Sequence, residues 1–254
     1  MSLINVERIK LFSTRSPWWC MIIAAALSIG LAALATGLAS GADELQVTPA
    51  MSQFGVNLGQ MVIMVMAALA VTTEYRFGTI RTSFQAVPQR VALLLNKTFV
   101  VAGLAALVGL IASWGSWAVG YLLAGNADMA INTAAEWRLL FGQALVYGIA
   151  AIFAVAVGIL IRQSAGAIAI LILWPLLVEN LLTLIPRIGD DLQKWSPFTN
   201  ANQFINGGQD MGLAGGDSAG PSTGLDPWWA LVYFAAWGVG LLVIALFTAS
   251  KRDA

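Results

Sequence analysis

The 254-residue chain is 59% hydrophobic and only 10% charged, and its 13 basic and 13 acidic side chains cancel. A water-facing surface of this size needs far more charge, so the surface faces lipid, and zero net charge argues against a nucleic-acid partner. Histidine is absent and Cys20 is the one cysteine, which removes the commonest general base and metal ligand and leaves no internal disulfide.

Residues 1–15 make a short basic, partly apolar start whose apolar positions gather on no single helical face, so pattern alone does not establish an interfacial helix. A helix needs about 20 apolar residues to cross the hydrocarbon core. Residues 16–42, 45–73, 98–127, 139–161 and 227–250 carry no charge, and a sixth run, between Arg162 and Arg187, is interrupted only by Glu179. The first run follows Arg8, Lys10 and Arg15 as a signal peptide would, but it is too long for one and further spans follow, so it reads as a retained helix. The expectation is an all-α membrane protein of one domain, 1–254, with spans at 17–40, 54–74, 98–124, 138–161, 165–186 and 228–249.

Six spans put both termini on one side. With that side inside, the inner stretches hold ten basic residues: Arg8, Lys10, Arg15, Arg76, Arg81, Arg90, Lys97, Arg162, Lys251 and Arg252. The outer ones hold three: Arg138, Arg187 and Lys194. This bias predicts cytoplasmic termini. Trp18 and Trp19 then fall at an inner mouth, and Trp137, Trp228 and Trp229 at outer mouths, depths that amphipathic rings favour. Trp114, Trp117, Trp174 and Trp237 lie deeper, as packing or as an aromatic lining. The pairs Gly37/Gly41, Ser116/Gly120 and Ala154/Gly158, spaced by four, signal close helix packing.

Two connections stand out. The outer one, 187–227, starts charged and turns Asn-, Gly- and Ser-rich, although Leu192, Trp195, Phe198, Phe204, Ile205 and Met211 allow short helices at the outer leaflet. The inner one, about 75–96, follows a span that runs out of apolar residues at Thr72-Thr73 and ends Glu74-Tyr75-Arg76-Phe77-Gly78-Thr79-Ile80-Arg81. Pro88, Arg90 and Lys97 come next. Gly78 permits a tight turn and Pro88 can end a helix. Arg81 and Arg90 offer planar donors to a protein below. On residues alone this is either a generic positive-inside loop or a docking element.

The stretch E-Y-R-F-G-T-I-R, then P-Q-R and a lysine opening the next span, resembles the ABC-2-type permeases, the membrane subunits of type-2 ABC exporters, and among them the small six-span bacterial members. The match in residues is concentrated in Glu74 to Lys97, while span count and connections extend it at low resolution over the chain. The resemblance implies a cytoplasmic coupling helix between spans 2 and 3. Glu74, Arg76, Gly78, Thr79, Arg81, Pro88 and Arg90 would lie at the joint with a nucleotide-binding ATPase subunit, and residues 1–15 would form an interfacial connecting helix. It also implies a bacterial plasma-membrane setting, a second membrane subunit making a homodimer, and contact with membrane lipids. ATP and Mg would sit on the partner ATPase, and this chain would bind no cofactor. Consistent with that division, the chain has no G-x-x-x-x-G-K-[ST] phosphate cradle.

Glu179, in Trp174-Pro175-Leu176-Leu177-Val178-Glu179-Asn180, is the one charge well within a predicted span, and Pro175 bends that helix. An intramembrane carboxylate faces protein or water. Glu179, with Trp174 and Asn180, therefore stands as a candidate for a substrate path or outer gate. Otherwise it pairs with Arg138 or starts an outer re-entrant element. The expected activity is ATP-coupled export of an amphiphilic or drug-like molecule. The alternative, an ion-coupled secondary transporter or channel, calls for titratable groups in several spans. A membrane enzyme lacks a catalytic constellation.

Overall fold

The computed structural model describes residues 3–13, 15–40, 48–80, 90–124, 129–182, 184–185, 188–207 and 224–252. The helices are α1 (Leu3–Ser13), α2 (Arg15–Ser40), α3 (Val56–Arg76, entered through a 3₁₀ turn at Met51–Gln53), α4 (Arg90–Leu123) and α5 (Ala134–Ile161). After them come α6 (Ser164–Leu173), a π-helical turn (Trp174–Val178), α7 (Glu179–Leu182), α8 (Gly189–Lys194), α9 (Pro197–Asn206) and α10 (Pro227–Arg252). No strand occurs among the described residues.

Six of these stretches are long and apolar enough to cross a membrane: Arg15–Ser40, Met51–Arg76, Val91–Leu123, Ala134–Ile161, Ser164–Leu182 and Pro227–Lys251. That is the all-α, six-span class expected from composition. The third span's helix, α4, begins at Arg90, so residues 90–96, expected in the connecting loop, are helical. The fifth stretch runs to Leu182 as α6, the π turn and α7, four residues short of the predicted end. Two short helices, α8 and α9, lie in the 187–227 connection.

Alternating spans bring α1, the end of α3, the start of α4, the 162–164 turn and the end of α10 to one end of the bundle, here the Lys97 end. The π turn, α7, α8 and α9 lie at the other, the Glu179 end. The hub is α5, which packs against α3, α4, α6, α9 and α10. Its span is 67% buried, against 17% for Ser164–Leu182, which places the fifth span on the periphery.

The centrality of α5 follows from its small residues. Ala150, Ala151 and Ala154 are fully buried, and a methyl at Gly158 would stand 3.2 Å from the Ala68 carbonyl oxygen of α3. Across from it, a methyl on Gly109 of α4 would fall 2.8 Å from the Gln143 carbonyl oxygen and from the Tyr147 ring. Small side chains let backbones approach where lipid supplies no hydrophobic drive between helices. Of the three spaced pairs, Ala154/Gly158 and Ser116/Gly120 thus pack inside the chain, for Gly120 lies against Ser52, Met129 and Thr36. Gly37 has open space, and Gly41 lies outside the described residues.

Helix ends are fixed by local chemistry. Thr133 and Glu136 form a reciprocal capping box at the start of α5, with Glu136 Oε2 accepting from the Thr133 amide at 2.8 Å. Arg162 ends α5 in the left-handed region (φ 58°), its amide reaching the Gly158 carbonyl at 2.9 Å. Several polar groups within the bundle find partners inside it, as hydrocarbon demands. Tyr147 Oη donates to the Val56 carbonyl at 2.6 Å, and Gln53 and Ser113 bond each other, with Ser113 Oγ donating to Gln53 Oε1 at 2.9 Å.

Candidate functional site

At the Lys97 end, α3 stops because its last turn closes on itself. The Phe77 amide reaches the Thr73 carbonyl at 3.0 Å, and that of Gly78 reaches Tyr75 at 3.3 Å, with Gly78 at φ +70°. This left-handed position strains any residue bearing a Cβ. Beyond the turn, Arg76, Phe77, Gly78 and Thr79 are all exposed, Phe77 at 72% with the Arg76 guanidinium 5.6 Å over its ring. Ile80 turns back into the protein and is buried. The result is a short apolar-and-basic ledge projecting from the end of a span.

Glu74 turns the other way. Its Oε1 accepts from Lys97 Nζ of α4 at 2.7 Å, and the same ammonium lies 2.8 Å from Glu7 Oε2 of α1. Lys10 adds a looser tie, 3.3 Å to Glu7 and 3.8 Å to Glu74. The side chains of Lys97 and Glu7 are only 4% and 5% exposed and that of Glu74 14%, while Lys10 reaches solvent. Two cations and two anions thus cancel at the meeting point of three helices. Glu74 Oε2 is buried with no hydrogen-bond partner. Next to this cluster, Ser164 Oγ donates to Thr72 Oγ1 at 3.0 Å, and the Arg162 guanidinium stacks 4.9 Å over the Tyr75 ring, so the turn after α5 also rests on the end of α3.

Of the residues singled out at this end, the structure groups Arg76, Gly78 and Thr79 on the ledge and turns Glu74 inward. Arg81 and Pro88 lie outside the described residues, and Arg90 is the first residue of α4. Sequence reasoning missed Glu7 and the pairing of Lys97. The available signal was that Glu7 and Glu74 are acidic in stretches otherwise basic.

At the Glu179 end, the π turn bonds the Glu179 amide to the Trp174 carbonyl. Glu179 is 3% exposed, one turn from the end of the apolar stretch. Its Oε1 accepts from the Phe198 amide at 3.0 Å, and its Oε2 from the Thr199 amide at 2.8 Å and Thr199 Oγ1 at 3.0 Å. Pro197 opens α9 and Ser196 makes no side-chain cap. The carboxylate of a different element therefore takes the amides that begin α9, where the helix dipole also favours negative charge. Trp174 and Asn180 are both exposed, and Asn180 donates back to the Leu176 carbonyl at 2.8 Å. No ion pair joins Glu179 to Arg138 among the described residues. Arg138 lies instead against Gly207 at the far end of α9.

Aromatic packing completes the seat of α9. Phe198 meets Phe153 and Phe234 at ring-centroid distances of 5.4 and 5.5 Å, and Phe204 meets Trp228 at 5.3 Å. The deeper tryptophans separate. Trp114 and Trp117 join Tyr121, Trp137 and Phe141 in one cluster on α4 and α5, and Trp117 Nε1 donates to the Met129 carbonyl at 3.1 Å.

No curated protein matches the sequence significantly. The family model described as ABC-2 family transporter protein matches residues 3–176, from the start of α1 through the Lys97 end and into the π turn, stopping three residues short of Glu179. With well over half of its length matched, the chain belongs to the ABC-2 transporter family, as a multi-pass membrane permease subunit.

Proposed function

We propose that this chain is the permease half of an ATP-driven exporter in the bacterial cytoplasmic membrane, with the Lys97 end and both termini in the cytoplasm. An ATPase subunit carrying ATP and Mg docks on the ledge Arg76–Thr79 and its continuation through Arg81, Pro88 and Arg90. Two copies of the chain enclose a path for an amphiphilic or drug-like molecule, as in multidrug efflux, and Glu179, Trp174 and Asn180 belong to its outer gate. The observation that carries this reading is the ledge itself: Phe77 and Arg76 are exposed at the end of a span whose adjoining Glu74 is locked into the bundle. An exposed apolar ring with a basic neighbour on a rigid base is what a soluble partner can grip. Of the three carboxylates among the described residues of the spans, Glu74 is paired with Lys97, Glu136 caps its own helix, and three protein donors occupy Glu179, which leaves an ion-coupled carrier without a titratable relay.

The test is affinity purification of the chain from its native membrane. A co-purifying subunit with a nucleotide-binding phosphate loop is expected, and Arg76→Glu or Arg81→Glu should weaken its retention by about tenfold, the equivalent of roughly 1.4 kcal/mol. Vesicle transport that persists without ATP and follows a proton gradient would overturn the proposal.

A further inference from the structure

We infer that Glu7, Glu74 and Lys97 form a joint that makes α1 a moving part of the coupling apparatus, displaced as one body with the ends of α3 and α4. The inference rests on the docking reading above but concerns a different element, the amino-terminal helix. Glu7 and Leu11, one turn apart, are the residues of α1 that turn into the protein, while Arg8, Ile9 and Lys10 face out. A helix held only by the membrane surface would present an apolar stripe to lipid. The inward side of α1 instead presents a carboxylate, and that carboxylate is matched to a cation on α4.

The geometry gives the joint its stiffness. The Lys97 ammonium is bonded at 2.8 and 2.7 Å to carboxylates from two other helices, at a position 3% exposed. With water excluded, no solvent molecule can take the place of either partner when the helices shift. Sliding α1 away from α4 would leave Glu7 with only the partly exposed Lys10 of its own helix, and sliding either α1 or α3 away would take one of its two carboxylates from the buried Lys97. Both alternatives are costly, so the three ends have one favoured arrangement. The segment between α3 and α4 is tethered on both sides to this joint, through Glu74 in the last turn of α3 and Lys97 two turns into α4. A push on that segment therefore reaches α1, α3 and α4 together. Lys97 is a positioning residue here, acting through the two carboxylates.

The experiment uses the assembled complex with its ATPase in lipid nanodiscs, on a Cys20→Ala background. Spin labels replace Arg8 on α1 and Phe99 on α4, both exposed. The interlabel distance is read without nucleotide and after trapping with ATP and vanadate. In the otherwise unaltered chain the distribution should be narrow and the same in both states. In the paired variant Glu7→Gln/Lys97→Met, which removes a cation and an anion together and leaves Glu74 beside Lys10, the ATPase should still co-purify, but the distribution should broaden or become nucleotide-dependent. A nucleotide-dependent distance in the unaltered chain overturns the joint, whatever the variant does. So does a paired variant indistinguishable from it. Failure of the unaltered chain to retain any ATPase would count against the docking reading instead, and the two failures are read from different measurements.

Discussion

The two ends of the bundle bury carboxylates by opposite means. At the Lys97 end Glu7 and Glu74 are matched by side-chain ammonium groups, whereas at the Glu179 end the carboxylate is matched by two backbone amides and a hydroxyl. Buried ion pairs lock helix to helix through their side chains, so that a displacement of one is passed to the others. A cap from another element ties the backbone itself, fixing where α9 starts and which way it points. The Lys97 end is thus built to transmit displacement among helices, and the Glu179 end to hold one short helix in place.

The largest effect that distinguishes the two designs is expected at Lys97. Lys97→Met alone leaves both carboxylates to the partly exposed Lys10, at 3.3 Å from Glu7 and 3.8 Å from Glu74, and should cost roughly 3–5 kcal/mol. Adding Glu7→Gln should recover most of that loss. Thermal unfolding in detergent checks both, and a double variant no more stable than the single one would show that charge compensation is not what holds this end. The next effect belongs to Glu179. Glu179→Ala strips the acceptors from the Phe198 and Thr199 amides and should cost about 2–3 kcal/mol, while Glu179→Gln keeps one oxygen and should lose less. Limited proteolysis within α9 should accelerate for the alanine variant ahead of global unfolding. Equal protection of α9 in both proteins would mean that aromatic packing through Phe198 and Phe204, not the cap, holds it down.

The same contrast explains what could be read in the sequence. The six spans were legible because lipid constrains composition over whole runs of 20 or so residues. Their ends were less so, since charges were taken as boundaries. Lys97 lies inside α4 because its charge is cancelled by Glu7 and Glu74, and the helix continues back to Arg90. Glu179 was conspicuous as a charge in an apolar run, but its partners lie 19 and 20 residues on and two of them are backbone amides, which carry no side-chain signature. The family-level resemblance carried by Glu74 to Lys97 is met by the match over residues 3–176. The residues that make the charged joint come from α1 as well, and a single glutamate in a basic segment gave little warning of that.

The smallest effect separates the ledge from the joint beneath it. Gly78 has open space around its Cα but sits at φ +70°, so Gly78→Ala introduces backbone strain without a clash. A left-handed alanine costs roughly 1–2 kcal/mol, and that strain can be relieved by rotating the turn that carries Arg76, Phe77 and Thr79. The ion pairs of Glu74, one turn earlier in α3, need not move. Thermal stability should therefore fall only slightly, while retention of the ATPase should fall clearly, because the ledge is re-aimed. If stability and retention fell in parallel, the turn and the charged joint would be one mechanical unit, and the division between a gripping surface and a transmitting core would have to be given up.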